Sequence, residues 1–247
     1  MHPACWVDVL NAPAFVVNLD RSPHRLAVVS QRIRAAGFSD LRRFRAIDAN
    51  NPADLVGGWL ALGDPPFNPN DDQFVAHPGT QGCFLSHVLL WRAIVDLGLP
   101  FATVFEDDVW FHKNWDQLAP AYFHETPPDY DILFVGNMIL NPLQDLVVRT
   151  DVWCMHAYVV TLEGARRLLD AVLKVPGGLF PVDAMLVHLM RSELYEGEPA
   201  GFRWYAWNGA RYPDEQAVLD GGKPWRVKRN TGLVFQDPTL EGTVTPW

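Results

Sequence analysis

The stretch Phe101-Ala102-Thr103-Val104-Phe105-Glu106-Asp107-Asp108 runs from five apolar or β-favouring residues straight into three consecutive carboxylates. An apolar run bounded by Gly98 and Pro100 on one side and acids on the other predicts a buried strand of a parallel sheet. The acids then stand at the strand's carboxyl end, where open α/β sheets place their ligands. Two unit charges about 4 Å apart repel by roughly 4 kcal/mol at an effective dielectric near 20. Adjacent acids therefore call for a proton or a cation, and oxygen ligands suit a divalent cation. Solvated turn residues capping the next segment are the alternative.

Strand and helix patterns alternate on both sides of this segment. Ala14–Leu19 predicts the first strand, and Ser22 with Pro23 opens a helix that runs to about Ala36 and stops at Gly37. Leu26, Val29, Ile33 and Ala36 form its buried face, with Arg25, Arg32 and Arg34 elsewhere. Phe44–Ala49 predicts a second strand. Residues 50 to about 79, rich in Asn, Pro, Gly and Asp, predict a partly helical insertion at the rim of a site. Thr80–Leu97 is the strongest helical pattern and ends at Gly98. Cys83, His87, Leu90, Trp91 and Ile94 share one of its faces, so His87 is either a satisfied core histidine or a ligand.

Asp129–Asn137 predicts another buried strand, in which Gly136 lets something approach the backbone closely. Residues 138–152 read as irregular or a hairpin. His156–Thr161 is a further strand, and Thr161 caps a helix over 163–173 that Pro176-Gly177-Gly178 breaks. Pro181-Val182-Asp183 opens a helix through Met190, with Asp183 in the first turn, where the helix dipole favours a carboxylate. Phe202–Trp207 is a late strand, and 208–247 read as an extended tail. The alternation predicts an α/β fold with a mostly parallel central sheet, and residues 1–247 read as one domain.

Composition narrows the function. The formal charge of −9 argues against a nucleic-acid binder and against simple adhesion to anionic lipid. Cys5, Cys83 and Cys154 are odd in number, scattered and without a C-x-x-C pair, which points to neither a disulfide framework nor a structural zinc site. No run of 18 or more apolar residues is present, and the first residues lack a basic region followed by an apolar one. A cytoplasmic protein is the expectation, with peripheral membrane contact left open. G-x-G-x-x-G and P-loop motifs are absent, so dinucleotide or ATP sites of those kinds are unsupported.

Several motifs occur in a telling order. They are Asn18-Leu19-Asp20-Arg21 with Arg25, Phe44-Arg45-Ala46-Ile47-Asp48, and Gln81-Gly82-Cys83-Phe84-Leu85-Ser86-His87. Glu106-Asp107-Asp108, His156-Ala157-Tyr158 with Gly164-Ala165, and Pro181-Val182-Asp183 follow. Over roughly residues 14–190 this order resembles glycosyltransferase family 25, which includes bacterial lipooligosaccharide galactosyltransferases and collagen galactosyltransferases. The resemblance implies a GT-A type, Rossmann-like α/β/α sandwich. It implies inverting transfer of a hexose, usually galactose, from a UDP-sugar to a glycan or glycolipid hydroxyl, helped by Mn2+ or Mg2+.

By position, Asp108 is the expected metal ligand, with Asp107 and a late His156 beside it. The chain has no His after His188, so Gln236 or Asp237 are alternatives to His156. Glu106 or Asp107 would then reach the ribose or a metal-bound water. Asn18, Asp20, Arg21 and Arg25 are expected to grip the nucleotide, since Arg matches phosphate bidentately. Ser86 and His87 either reach the nucleotide-sugar or simply pack. Asp183 is the expected base for the acceptor hydroxyl, with helix capping as its alternative role. Two other activities fit the same acids, a nucleotide-sugar or glycan binder without catalysis and a metal-dependent hydrolase.

Overall fold

The computed structural model describes residues 2–63, 78–139, 145–174, 181–208, 232–237 and 240. Seven strands form one sheet in the spatial order β2-β1-β3-β7-β5-β8-β6. They are β1 (Pro13–Asn18), β2 (Asp40–Arg45), β3 (Phe101–Glu106), β5 (Ile132–Met138), β6 (Val147–Val148), β7 (Trp153–Thr161) and β8 (Trp204–Trp207). β4 (Val109–Phe111) and β9 (Val234–Gln236) make a separate antiparallel ribbon. β1 runs parallel to β2 and β3, and β5 parallel to β8, while β7 lies antiparallel between β3 and β5. Five strands therefore point one way, and their carboxyl ends share one edge. The sheet is mostly parallel as expected, with β7 and β6 reversed.

Alternating side chains feed two cores. On one face Val104, Phe134 and Tyr158 pack with α3 (Pro52–Leu62), α4 (Pro78–Asp96), α6 (Leu162–Leu173) and α7 (Val182–Arg191). On the other, Val16, Leu133 and Val159 pack with α1 (Trp6–Asn11), α2 (Pro23–Ala35) and α5 (Trp115–Glu125). Each fully buried large apolar side chain contributes roughly 1.5–3 kcal/mol, so the two faces together fix the direction of every strand end. Thr161 caps α6 as predicted, its hydroxyl accepting from Gly164 N at 2.9 Å. Gly164 is required for space, because a Cβ there would overlap the carbonyl of Asp131.

Several elements differ from the sequence pattern. The second strand begins at Asp40 and ends at Arg45, rather than spanning 44–49. Its partner β1 ends at Asn18, opposite Arg45, so 46–49 have no strand to pair with. β2 is an edge strand carrying Asp40, Arg42, Arg43 and Arg45, the charged dress that discourages edge pairing, and this hides it from a search for apolar runs. α5 has no counterpart in the sequence reading. Trp115, Ala119 and Tyr122 give it a buried face at helical spacing, but Pro120 sits inside it. A π-helical turn, Ser192–Glu196, extends α7. The Pro176-Gly177-Gly178 break, most of the rim insertion after Gly63 and most of the tail lie outside the described residues. Among the described residues, no helix is long and apolar enough to cross a membrane.

Candidate active site

A cleft opens at the carboxyl ends of β1, β2 and β3, between the start of α2, the segment 46–50 and the first turns of α4. The space between these segments, open solvent at the mouth included, is about 880 Å3. Gly82 makes the wall thin, since a Cβ there would stand 2.6 Å from the Ile47 carbonyl oxygen. Ser86 ties the same two segments together. Its hydroxyl accepts from Ile47 N at 2.9 Å and donates to Gly82 O at 2.6 Å. Its hydrogen is thus committed to the scaffold.

The acid triplet lines this cleft, as its place at a strand end predicts. Its counter-ion is Arg25. One guanidinium nitrogen lies 2.8 Å from Asp107 Oδ1 and 2.9 Å from Asp108 Oδ2, with the Arg25 side chain only 4% exposed. The helical spacing had placed Arg25 off the buried face of α2, and the structure corrects this. The first turn of α2 stands over the strand ends, where a buried carboxylate pair takes the place of apolar contact. Asn18 supports the pair from below, its amide donating to Asp107 Oδ2 at 2.6 Å. Burial raises the Asp107 pKa above the ordinary value, against the lowering effects of Arg25 and Asn18.

Glu106 faces differently. Burial pushes its pKa up, but the facing His87, then His156 and the Gln236 amide, outweigh this and hold it below the ordinary value. Gln236 of β9 donates to Glu106 Oε2 at 3.2 Å. Its neighbour Asp237 is buried on Arg32 at 2.6 Å.

Behind His87 lies a buried polar chain. Tyr158 Oη is 2.9 Å from both the Trp91 indole nitrogen and His87 Nδ1. His87 Nε2 stands 3.8 Å from Glu106 Oε1. Cys83, one turn earlier on α4, completes a Cys83–His87–Glu106 group whose ligand atoms all lie within 4.8 Å of one another. Burial, followed by the charge of Glu106, pushes the Cys83 thiol well up, so it stays protonated and is a poor ligand for a hard cation.

Other expected site residues stand further out. Arg21 lines the cleft, paired with Asp48. Asp20 is on the surface between Arg43 and Arg45, at 2.5 and 2.6 Å, and the lining does not include it. His156 lies one residue beyond the Phe105–Ala157 pair, as Glu106 does on β3. Its Nε2–H donates to Val234 O at 2.9 Å, and burial lowers its pKa. The approach permitted by Gly136 is that of this ring, which a Cβ would meet at 2.5 Å. Asp183 opens α7, outside the lining, with Oδ2 accepting from Cys154 N at 3.3 Å. Burial raises its pKa, and the like charge of Glu106 adds to the rise. Cys154 itself has φ of 65°, a left-handed conformation that costs a non-glycine residue of order 1–3 kcal/mol and aims its N–H at Asp183.

Sequence reading missed the Trp91–Tyr158–His87 chain, although its signals were present. His87 and Trp91 are four apart on one helix face, and His156 and Tyr158 alternate onto one side of a strand.

Carboxylates and guanidiniums line a cleft at the carboxyl edge of an α/β sheet, the place where such sheets hold their ligands. Comparison with known proteins gives the family. The model of glycosyltransferase family 25 (LPS biosynthesis protein) matches residues 11–142, and the chain belongs to this family. It is 38% identical over 121 residues to the "probable inactive glycosyltransferase 25 family member 3" of Bos taurus, covering 44% of this chain and 20% of that one. The "lacto-N-neotetraose biosynthesis glycosyltransferase LgtB" of Neisseria meningitidis is 30% identical over 192 residues, 69% of this chain and 66% of its own. A solved glycosyltransferase involved in glycosylating the major capsid of PBCV-1 superposes with a TM-score of 0.46 at 9% identity, over 95% of this chain and 96% of that one. The chain spans about a fifth to a third of the length of the vertebrate family members it matches. Family membership supports a glycosyl-transfer role.

Proposed function

We propose that this chain is a metal-dependent inverting transferase, moving a hexose, specifically galactose, from a UDP-sugar to a glycan hydroxyl such as one on lipooligosaccharide. The carrying observation is the charge of the cleft. Four carboxylates (Asp48, Glu106, Asp107 and Asp108) face two guanidiniums (Arg21 and Arg25) in its lining. A diphosphate entering that surplus of negative charge is repelled unless a cation accompanies it. The donor set fits Mn2+ or Mg2+, because it is built of carboxylate oxygens. Asp108 is the foremost ligand. Asp107 has one oxygen on Arg25 and the other on Asn18, so it joins only by giving one up, and His156 only through Nδ1.

Such a cation would neutralise the charge that develops on the departing diphosphate. The chain's own residues supply the rest. Arg21 is placed for the phosphates, and Arg25 with Asn18 holds the acid pair in one geometry. Asp183 takes the proton of the acceptor hydroxyl. Its raised pKa supports this role, because a base with a higher pKa accepts a proton more readily. The same reading places the protein in the cytoplasm, meeting a glycolipid acceptor at the membrane surface.

The test is a screen for release of UDP, GDP or CMP from sugar nucleotides with manganese, with and without glycan acceptor. Acceptor-dependent UDP release from UDP-galactose is expected. Release at the same rate without acceptor would show a hydrolase, and binding without release would show a non-catalytic binder.

A further inference from the structure

The buried chain behind His87 decides which hydrogen-bonding role that histidine presents to the cleft. Trp91 is a donor only, so its indole N–H must point at the Tyr158 oxygen, 2.9 Å away. The Tyr158 hydrogen then needs an acceptor. Among the described residues its other hydrogen-bond partner is His87 Nδ1, also at 2.9 Å. Tyr158 and Trp91 are fully buried and His87 is 1% exposed, where leaving a hydroxyl unsatisfied is costly. A proton on Nδ1 would leave the Tyr158 hydrogen without a partner. His87 must therefore carry its hydrogen on Nε2, the nitrogen that faces Glu106.

We propose that Trp91 and Tyr158 are positioning residues that lock His87 as the neutral Nε2–H tautomer. His87 and Glu106 thereby become a donor–acceptor pair that reads a hydroxyl of the bound nucleotide-sugar. The separation supports the second step. At 3.8 Å the N–H and carboxylate are too far apart to bond each other. One hydroxyl between them accepts from Nε2–H and donates to Oε1, and neither a carbonyl nor an ammonium satisfies both. Gln236 on the other Glu106 oxygen holds that carboxylate in place. The lock also leaves His87 Nε2 without a lone pair for metal ligation. The hydroxyl half rests on the nucleotide-sugar reading above; the tautomer half stands without it.

Two-bond 1H–15N correlation spectra of the intact protein test the lock, with His87 assigned by its loss in His87→Gln. A bare Nδ1 and protonated Nε2 are expected at neutral pH, and Tyr158→Phe should shift the ring toward a mixture of tautomers. A protonated Nδ1 in the unsubstituted protein would overturn the lock, whether or not Tyr158→Phe folds. Titration calorimetry with UDP-galactose and manganese tests the hydroxyl. His87→Leu should weaken binding about tenfold, the effect of a hydrogen bond linked to a charged group. His87→Gln, whose amide is also a donor, should recover most of it. Equal affinity in His87→Leu and the unsubstituted protein would overturn the hydroxyl pair. Should the unsubstituted protein bind no sugar nucleotide at all, the donor reading and the hydroxyl half fail together, while the spectra still decide the lock.

Discussion

Replacing Arg25 with Met removes the counter-ion of Asp107 and Asp108 while keeping most of the side-chain volume. In the native protein one guanidinium nitrogen serves both carboxylates at 2.8 and 2.9 Å, and the three side chains are 4%, 9% and 15% exposed. Taking one partner from a buried ion pair typically costs 3–5 kcal/mol, because the remaining charge stays buried and uncompensated. Here two carboxylates are left facing each other, so the upper part of that range applies, about 4–5 kcal/mol. At roughly 2–4 °C per kcal/mol for a chain of this size, the thermal midpoint should fall by about 8–20 °C.

The pH dependence identifies the cause. Burial already raises the Asp107 pKa in the native protein, and losing the lowering effect of Arg25 raises it further. A carboxylate raised by folding adds stability at low pH and loses it as pH climbs through its folded pKa. The deficit of Arg25→Met should thus be largest near pH 7 and shrink as pH falls through the carboxylate range. Thermal melts of both proteins from pH 4 to 8, with Arg25→Met/Asp107→Asn alongside, read this directly. A deficit below about 1 kcal/mol at pH 7, or one that the second substitution does not reduce, would refute the counter-ion reasoning.

Two further perturbations probe other parts. Asp183→Asn should keep UDP affinity and lower kcat by about 10²–10⁴-fold. A base works only when ionised, and the Asp183 pKa is raised, so under the proposed role the acid limb of the native rate profile should lie above the usual carboxylate value of 3.8 and vanish in the variant; unchanged kcat would remove Asp183 from the chemistry. Gly164→Ala should destabilise by at least about 2 kcal/mol in urea unfolding, since its Cβ has only the Asp131 backbone to displace, and a neutral outcome would mean that α6 can slide on the sheet.

How much of this was legible beforehand depended on whether a feature was local. The strand at 101–106, the main helix before it and the Thr161 cap depend on neighbours in sequence, so runs, periods and capping residues disclosed them. β2 did not disclose itself, because an edge strand keeps charges where a central strand keeps valines. α5 carried a readable face but an internal proline. Helical periodicity sets Arg25 off the buried face because it registers only apolar burial, and a buried cation is visible only with the acids it meets.

The sequence by itself determined that a strand ends in three acids, that those acids lie at the ligand edge of an α/β fold, and that the ordered motifs resemble one glycosyltransferase family. Tertiary structure alone decided what each acid does. Arg25 arrives from a helix more than 80 residues away in sequence to hold Asp107 and Asp108. Glu106 is turned instead to His87, whose proton is directed by a tryptophan on the same helix and a tyrosine from an antiparallel strand. Charge and hydrogen bonding act through space over a few ångströms, and only folding sets which residues come that close.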